Sequence, residues 1–280
     1  MKICRTVQEL TSITEQLKQE NKTIGLVPTM GALHEGHKSL FVRARKENDI
    51  FISSVFVNPI QFNNKEDFEK YPRTEEQDIK ILEECACDIA FIPTAEDVYG
   101  GQTPETFTFG QLEQVMEGVQ RPGHFSGVAN IVSRLFIWSK ADKAYFGEKD
   151  YQQIAIIKDM VRQKSFKIEI VPCPIFRDED GLATSSRNVR LSAEARKIAP
   201  KIHQILLESY RQKDFLSISQ IKAFVEDEFK HNKNFELEYF TIVDDKTLQP
   251  VSQREENQGI VGCIAVWLDG VRLIDIQRYW

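Results

Sequence analysis

The run Ile50 to Val57, IFISSVFV, constrains the fold of this chain more than any other stretch. Its residues are almost continuously apolar rather than alternating, which is typical of a parallel strand covered on both faces. The run ends at Asn58, Pro59 and Gln61, and in open parallel sheets the ligand crevice lies beyond the carboxyl ends of the strands. We therefore predict an α/β fold in which Asn58 and Gln61 touch a substrate. Asn-Pro alone also marks an ordinary turn.

A second strand leads into a glycine-bearing turn and a helix. Thr23 to Val27 is a short apolar run, Pro28 to His37 reads PTMGALHEGH, and Lys38 to Lys46 has amphipathic helical spacing. His34 and His37 are three residues apart and share a helix face if the helix begins there. Unpaired amides at a helix N-terminus attract anions, so this stretch suits a phosphate flanked by two imidazole donors. A helix start carrying two solvated histidines fits the same residues.

The succession of strand, glycine and helix recurs further along the chain. Ala144 to Phe146 has the pattern of a strand end, and Gly147 to Asp150, reading GEKD, precede a helix. Lys149 would supply a mobile positive charge for phosphates, and Asp150 an acceptor for ribose hydroxyls. Gln153 lies on the same helical face as Asp150. The alternative for these charged residues is a solvated turn.

Two further loops carry basic residues beside histidine or serine. The stretch RPGHFSG, Arg121 to Gly127, either closes over an anionic substrate with Arg121 and His124 facing it or is an ordinary connection. The stretch RDEDGLATSSRN contains Ser185 to Arg187, whose hydroxyls and guanidinium suit phosphate oxygens. In the alternative interpretation these serines are plain loop. Ser192 is expected to cap the following helix in either case.

An acidic residue near the start of another predicted helix, Glu75 to Cys87, has two interpretations. Asp78 either complements the helix dipole or helps to hold a magnesium ion through water. Magnesium typically takes only one or two carboxylates beside substrate phosphates, so a single aspartate is compatible with such a site.

Two prolines, Pro172 and Pro174, mark the predicted domain boundary. We expect a catalytic domain at residues 1–175 and a smaller α+β domain at residues 176–280 that acts as a lid. The second domain is expected to have helices at Ala193–Arg211 and Ser217–His231 and three strands, at Glu236–Val243, Gly259–Leu268 and Val271–Ile276. Asp269-Gly270, which joins the last two strands, is a strong hairpin signal.

Charge and cysteine content exclude several classes of protein. The formal net charge of -6 provides no global field for a polyanion, which argues against a dedicated nucleic-acid binder. The five cysteines are odd in number and lack metal-finger spacing, so we expect reduced thiols in a cytoplasmic protein. No apolar run approaches the roughly 20 residues that span a bilayer.

Six separated motifs together resemble one family, the pantothenate synthetases. They are PTMGALHEGH, FVNPIQF, YPRT, RPGHFSGV, YFGEKDYQQ and DGLATSSRN, in this order and across the whole length. The resemblance implies a Rossmann-type nucleotidyltransferase domain with a HIGH-type motif at His34 to His37 and a KMSKS-like segment at Ser185 to Arg187. It also implies a homodimer that condenses (R)-pantoate with beta-alanine to give pantothenate, AMP and diphosphate, through a bound pantoyl adenylate.

The resemblance also implies residue roles. His37 matches the proton donor, with His34 and Lys149 as further catalytic groups. Gln61 and Gln153 would hold pantoate, Asn58 would line its pocket, and Asp78 matches an acidic position near Mg²⁺. The expected ATP contacts are Met30, Gly31, Ala32, Leu33, His34, Glu35, Gly36, His37, Gly147, Glu148, Lys149, Asp150, Phe176, Thr184, Ser185, Ser186 and Arg187.

The sequence departs from the family pattern at two places. Thr184 stands where Leu or Met commonly precedes the two serines, and Gln77 replaces an acid found in some members. The alternative function is an adenylyltransferase of the same superfamily that acts on a phosphate-ester acceptor, which should need more Lys and Arg around the acceptor.

Overall fold

The apolar runs form a six-stranded sheet in a computed structural model that describes residues 1–280. All of its neighbouring strands are parallel, in the order β1-β4-β3-β2-β5-β6. The strands are β1 (Lys2–Cys4), β2 (Ile24–Thr29), β3 (Ile50–Val55), β4 (Ile89–Phe91), β5 (Lys143–Gly147) and β6 (Glu169–Cys173). From the central β2 the chain proceeds to β3 and β4 on one side and to β5 and β6 on the other, so the strand order reverses between β2 and β5.

Helices cover both faces of this sheet. The helices in this part of the chain are α1 (Val7–Gln19), α2 (Glu35–Glu47), α3 (Lys65–Glu69), α4 (Glu75–Glu84), α5 (Ala95–Tyr99), α6 (Met116–Gln120), α7 (His124–Ser139) and α8 (Tyr151–Lys164), of which α6 belongs to the second of the two units described below. Phe41 of α2 and Leu82 of α4 share one core cluster with Phe51 of β3. Leu26 and Ile52 are also buried but lie outside that cluster, as expected for strand residues that point to the opposite face. The continuous apolar pattern therefore reflects burial on two sides.

The chain divides into two compact units. The first comprises Met1–Phe109, Arg121–Gly147 and Gln153–Pro174, and the second comprises Gly110–Gln120, Glu148–Gln152 and Ile175–Trp280. Two short stretches before residue 175 thus belong with the C-terminal residues. The division into domains at 1–175 and 176–280, and the role of the second as a lid, stay predictions.

The second unit contains a three-stranded antiparallel sheet in the order β7-β8-β9. Its strands are β7 (Phe235–Asp244), β8 (Ile260–Leu268) and β9 (Val271–Arg278), and its later helices are α9 (Ala193–Ile198), α10 (Lys201–Arg211) and α11 (Ile218–His231). Asp269 and Gly270 both have positive φ, as a two-residue hairpin turn requires. The predicted fold class, a Rossmann-like parallel sheet with a smaller α+β domain, is confirmed.

Several predicted boundaries are corrected. The expected helix over residues 193–211 is interrupted between α9 and α10 at Pro200, which has no amide hydrogen to donate. His124 begins α7, so the predicted loop at residues 121–127 is shorter than expected. Ser192 caps α9 as predicted, since its Oγ accepts from the Ala195 amide at 3.2 Å. No helix is long and apolar enough to cross a membrane.

Candidate active site

The turn after β2 is held in place by hydrogen bonds that its backbone amides donate to nearby side chains. Gly31 N donates to Thr29 Oγ1 at 3.2 Å, and the amides of Ala32 and Leu33 donate to the Asp78 carboxylate at 3.0 and 2.8 Å. Gly31 and Ala32 both adopt left-handed φ angles, of 76° and 49°. The turn is therefore shaped by contacts from within the protein, and it delivers the chain into α2 at the carboxyl edge of the sheet.

The two predicted histidines lie side by side at the start of α2. His34 is the N-cap residue rather than a member of the helix face, and the ring centroids of His34 and His37 are 4.0 Å apart. His34 N donates to His37 Nδ1 at 3.3 Å, which makes Nδ1 an acceptor and leaves Nε2 as the proton-bearing nitrogen of neutral His37. Residues Glu35 and Gly36 follow, where helix amides have no intrahelical acceptor. This arrangement can donate hydrogen bonds to an anion.

The polar residues after β3 form a connected cluster with the start of α7. Asn58 Nδ2 donates to Gln61 Oε1 at 3.1 Å and to Gly127 O at 3.0 Å. Gln61 Nε2 lies 2.9 Å from Met30 Sδ, which joins the cluster to the turn after β2. The Tyr99 hydroxyl donates to Asn58 Oδ1 at 2.6 Å and fixes the orientation of that amide. Burial raises the pKa of Tyr99, so the hydroxyl stays a donor at neutral pH.

Both ring nitrogens of His124 make hydrogen bonds within the same cluster. Its Nδ1 lies 2.8 Å from Gln61 O, and its Nε2 lies 3.2 Å from Arg121 Nη1. Because guanidinium nitrogens only donate, Nε2 accepts and the Nδ1 hydrogen is donated to Gln61 O. His124 is thus neutral in this arrangement and holds Gln61 and Arg121. A direct contact of His124 or Arg121 with substrate stays a prediction.

The GEKD motif follows β5. Gly147 is the last residue of β5, and Glu148–Asp150 form a 3-10 helix. Within the second unit, Arg278 of β9 donates to Glu148 at 2.7 Å, and the Lys149 ammonium lies 3.5 Å from the Asp150 carboxylate. The side chain of Lys149 is mostly buried, so its charge is held near the start of α8 rather than extending into solvent. Gln153 is half-buried on the first turn of α8.

The serine-rich segment belongs to a small hairpin of the second unit. Arg177 and Ala183 form an antiparallel bridge, and Phe176 O accepts from Thr184 N at 3.0 Å. Ser185 caps the 3-10 helix Ser186–Arg190 and accepts from Arg187 N at 3.3 Å. The Ser185 hydroxyl therefore has a structural contact in addition to its expected contact with ATP.

Ion pairs with β9 and α9 hold this hairpin in place. Arg177 makes a bidentate pair with the buried Asp275 of β9, at 2.7 and 2.9 Å. The Thr184 hydroxyl donates to Asp178 Oδ1 at 2.7 Å, and Arg196 of α9 donates to Asp178 Oδ2 at 3.0 Å. Thr184, the departure from the family pattern, thus has a hydrogen-bonding role that Leu or Met would not have.

The contacts of Asp78 do not fit the predicted role of metal ligand. The residue is 1% exposed, and its carboxylate receives hydrogen bonds from two backbone amides and from Thr74 Oγ1, the last at 3.2 Å. No group of three or more His, Cys, Asp or Glu side chains could hold a metal ion in this structure. Mg²⁺ therefore has no site built from three or more such side chains, and a contact of Asp78 with Mg²⁺ through water stays a prediction.

The strand order reverses between β2 and β5, and each of these two strands leads into a predicted motif. β2 leads into the turn with His34 and His37, and β5 ends at Gly147 of the GEKD motif. Ligands of open α/β sheets bind at such a switch point, outside the carboxyl ends of the strands. The geometry alone does not identify the ligand. In a comparison with known protein families, the family described as pantoate-beta-alanine ligase matches residues 2–278.

The chain belongs to the pantoate-beta-alanine ligase family. A protein of Bacteroides fragilis named pantothenate synthetase is 50% identical over 279 residues, covering 100% of this chain and 99% of its own length. The crystal structure of pantothenate synthetase from Thermus thermophilus is similar at 40% identity and a TM-score of 0.92, with 100% of both chains covered. A pantoate-beta-alanine ligase from Francisella tularensis, complexed with beta-gamma ATP and beta-alanine, is 36% identical with a TM-score of 0.82 and covers 100% of this chain and 98% of its own.

Sequence reasoning missed some residues that shape the site of this ligase-family chain. Tyr99 orients Asn58 and lies in none of the six motifs, whereas Thr29 accepts from the turn and lies in the first motif without a predicted role. Tyr99 is 41 positions from Asn58 along the chain, so only the fold brings the two together. Thr29 had a usable signal, because it is a hydroxyl residue at the carboxyl end of a strand and directly before a glycine-bearing turn.

Proposed function

We propose that this chain condenses (R)-pantoate with beta-alanine in an ATP-dependent reaction that gives pantothenate, AMP and diphosphate. The observation that carries the proposal is the match to the pantoate-beta-alanine ligase family over nearly the whole chain. The Francisella tularensis relative, whose structure contains beta-gamma ATP and beta-alanine, supports these two compounds as ligands.

The chemistry explains why ATP is needed. A carboxylate is a poor acyl donor because its oxygen is a poor leaving group. A carboxylate oxygen of pantoate attacks the α-phosphorus of ATP, the bond from that phosphorus to the bridging oxygen breaks, and diphosphate leaves. The neutral amine of beta-alanine then attacks the carbonyl carbon of the pantoyl adenylate, AMP leaves, and the nitrogen loses a proton. No covalent bond to the protein is required.

The ATP-binding groups are proposed from their chemistry. The His37 Nε2 hydrogen and His34 donate to phosphoryl oxygens as charge builds up, and the Lys149 ammonium offsets repulsion between the two anionic reactants. Ser185 to Arg187 supply further donors for phosphate oxygens. The amides of Ala32 and Leu33 are occupied by Asp78, so their part in ATP binding is to shape the turn.

Pantoate recognition is proposed for the cluster after β3. Gln61 and Asn58 carry amide groups that can pair with both hydroxyl and carboxylate oxygens, and Gln153 adds a third amide. Tyr99 and His124 hold Asn58 and Gln61 in place, so the amides are oriented before the substrate arrives.

We further propose that Mg²⁺ enters with ATP as part of the substrate and that the protein works as a cytoplasmic homodimer. Magnesium is commonly bound mainly by substrate phosphates and water, so it does not need a group of three or more protein ligands, and none is present. Light scattering of the purified protein tests the dimer, since a mass of one chain would contradict it.

The test of the function is AMP formation by the purified protein with ATP and Mg²⁺, supplied with pantoate alone, beta-alanine alone or both. We expect multiple turnovers of AMP, equal in amount to pantothenate, only with both substrates. His37→Ala should lower kcat by roughly 100- to 1,000-fold, the usual effect of removing a donor to developing charge. If ATP binds but neither substrate changes its fate, or if AMP is transferred to a phosphate ester instead, the proposal is wrong.

A further inference from the structure

Asp78 lies directly under the turn that precedes the two histidines. Its Oδ2 accepts from Ala32 N at 3.0 Å and its Oδ1 from Leu33 N at 2.8 Å, so each carboxylate oxygen holds one of two consecutive amides. Thr74 Oγ1 donates to the same carboxylate at 3.2 Å and fixes it from the N-cap of α4. The residue is 1% exposed, so water does not compete for these hydrogen bonds.

The turn needs such support because of its backbone conformation. Ala32 has a φ of 49°, a left-handed conformation that costs a residue with a Cβ atom about 1 kcal/mol or more. A residue stays in this conformation only where its surroundings hold it there, and here the acceptor for its amide is Asp78.

Gly31 shows how closely the carboxylate approaches the turn. A Cβ atom added there would lie 2.9 Å from Asp78 Oδ2 and 3.1 Å from Val55 Cγ1. The glycine thus allows the close contact between the turn and Asp78, in addition to its φ of 76°.

We propose that Asp78 is a positioning residue that acts on ATP through the turn at Gly31 to Leu33, and that it is not a metal ligand. The carboxylate holds two amides in one orientation, and that orientation sets where the chain enters α2 and where His34 and His37 lie. This inference rests on the proposed function for its kinetic readout. The sequence linked this acidic position to Mg²⁺. The inference gives it a different role, as the acceptor for the backbone amides of Ala32 and Leu33.

The test is Asp78→Asn. Its side chain has one acceptor oxygen where the carboxylate has two, and its NH2 group faces an amide that also donates. We expect KM for ATP to rise roughly tenfold with a fall in kcat/KM, as for the loss of a buried charge-assisted hydrogen bond. The Mg²⁺ concentration that gives half-maximal rate, measured at saturating ATP, should stay unchanged.

A second substitution separates positioning from a general loss of structure. Ala32→Gly removes the cost of the left-handed conformation, so in the Asp78→Asn background it should lower KM for ATP again by roughly threefold. The matched control is Asp269→Asn, because Asp269 is an exposed aspartate of the second unit that accepts from the Ser192 amide at 3.0 Å. We expect its kinetic constants to equal those of the unaltered protein.

The outcomes distinguish this inference from the proposed function. If the unaltered protein forms no AMP from pantoate and beta-alanine, the function is wrong, and the effect of Asp78→Asn is then read from ATP affinity by calorimetry. If the protein is active and Asp78→Asn raises the Mg²⁺ requirement, Asp78 is a metal ligand and the inference is overturned. An unchanged KM for ATP, or a lack of recovery with Ala32→Gly, also overturns it.

Discussion

Four consecutive backbone amides that lead into the HIGH-type motif donate hydrogen bonds to groups of the protein itself. Those of Gly31 to His34 donate to Thr29, Asp78, Asp78 and His37, in that order. This turn therefore differs from a loop whose open backbone wraps a phosphate. The donors expected to face the ligand are the imidazoles of His34 and His37 and the amides of Glu35 and Gly36, since the amides of His37 and Lys38 donate to His34 O.

Thr184 provides a test at a position where this chain differs from its family pattern. Thr184→Val keeps the shape of the side chain and removes the hydroxyl that donates to Asp178 at 2.7 Å. We expect KM for ATP to rise roughly threefold to tenfold, since loss of a hydrogen bond to a charged group loosens the segment that carries Ser185 to Arg187. Steady-state kinetics with varied ATP measure the change.

Thr23→Val is the matched control for this variant. The Thr23 hydroxyl donates to the Asp49 carboxylate at 2.8 Å, a bond of the same kind at an exposed position in the first unit. Its KM for ATP should stay constant. An equal KM in the Thr184 and Thr23 variants would contradict the role assigned to Thr184.

Local sequence patterns did not reveal what each candidate site residue touches. His34 and His37 were expected on one helix face, and their rings are indeed adjacent, but His34 lies at the N-cap. Asp78 was linked to Mg²⁺ because magnesium typically takes only one or two carboxylates beside substrate phosphates. Its true partners, Ala32 and Leu33, lie 46 and 45 positions away, and a local pattern carries no information about such a pair.

At the scale of elements, α2 is anchored at its C-terminal end as well as at its start. Glu47 accepts from Arg43 at 2.9 Å, from the Lys143 ammonium at 3.2 Å and from the Tyr145 hydroxyl at 3.1 Å. Lys143 and Tyr145 belong to β5, so Glu47 links α2 to the strand beside β2. The Arg43 guanidinium also donates to Pro172 O of β6 at 2.8 Å.

The contacts of Glu47 lead to a prediction about how the stability of the protein depends on pH. The Arg43 guanidinium, helped by Lys143 and Tyr145, lowers the pKa of Glu47 from 4.5 to about 2. A lowered pKa in the folded state stabilises the protein above pH 4.5, and the contribution is lost as pH falls towards 2. Glu47→Gln should therefore lower the free energy of unfolding by about 1–2 kcal/mol at pH 7, a value that allows for solvent screening of this half-buried pair.

Urea unfolding at several pH values measures this effect. The difference between Glu47→Gln and the unaltered protein should shrink steadily between pH 4.5 and pH 2. Glu15→Gln serves as the control, because Glu15 pairs with Lys140 at 3.2 Å on the surface, where ion pairs contribute little. A difference that stays constant with pH would show that Glu47 does not act through its charge.

Long periodic elements were predictable and short ones were not. The predicted bounds of β2, β3, β8, α2 and α11 were close to the observed ones, because the apolar pattern of each extends over several residues. β1, α3 and α5 span only 3, 5 and 5 residues. Elements of this length depend on their neighbours for stability, so the sequence pattern alone does not reveal them.

At the scale of the whole molecule, the fold follows from the succession of strand, glycine and helix, and the function follows from the family. Parallel sheets of this kind serve many reactions, so the switch point between β2 and β5 predicts a ligand site without naming the ligand. The prediction that pantoate is the substrate came from the six separated motifs, and the family match over residues 2–278 agrees with them. Physical patterning could not distinguish pantoate from another small carboxylate.

The most direct test of the central claim follows the oxygen atoms of pantoate. If an adenylate forms, a carboxylate oxygen of pantoate becomes the bridging oxygen and leaves with AMP. With pantoate labelled with oxygen-18 in both carboxylate positions, we expect one labelled oxygen in AMP and one in the amide carbonyl, measured by mass spectrometry. Label in inorganic phosphate with release of ADP, or unlabelled AMP, would contradict the proposed mechanism.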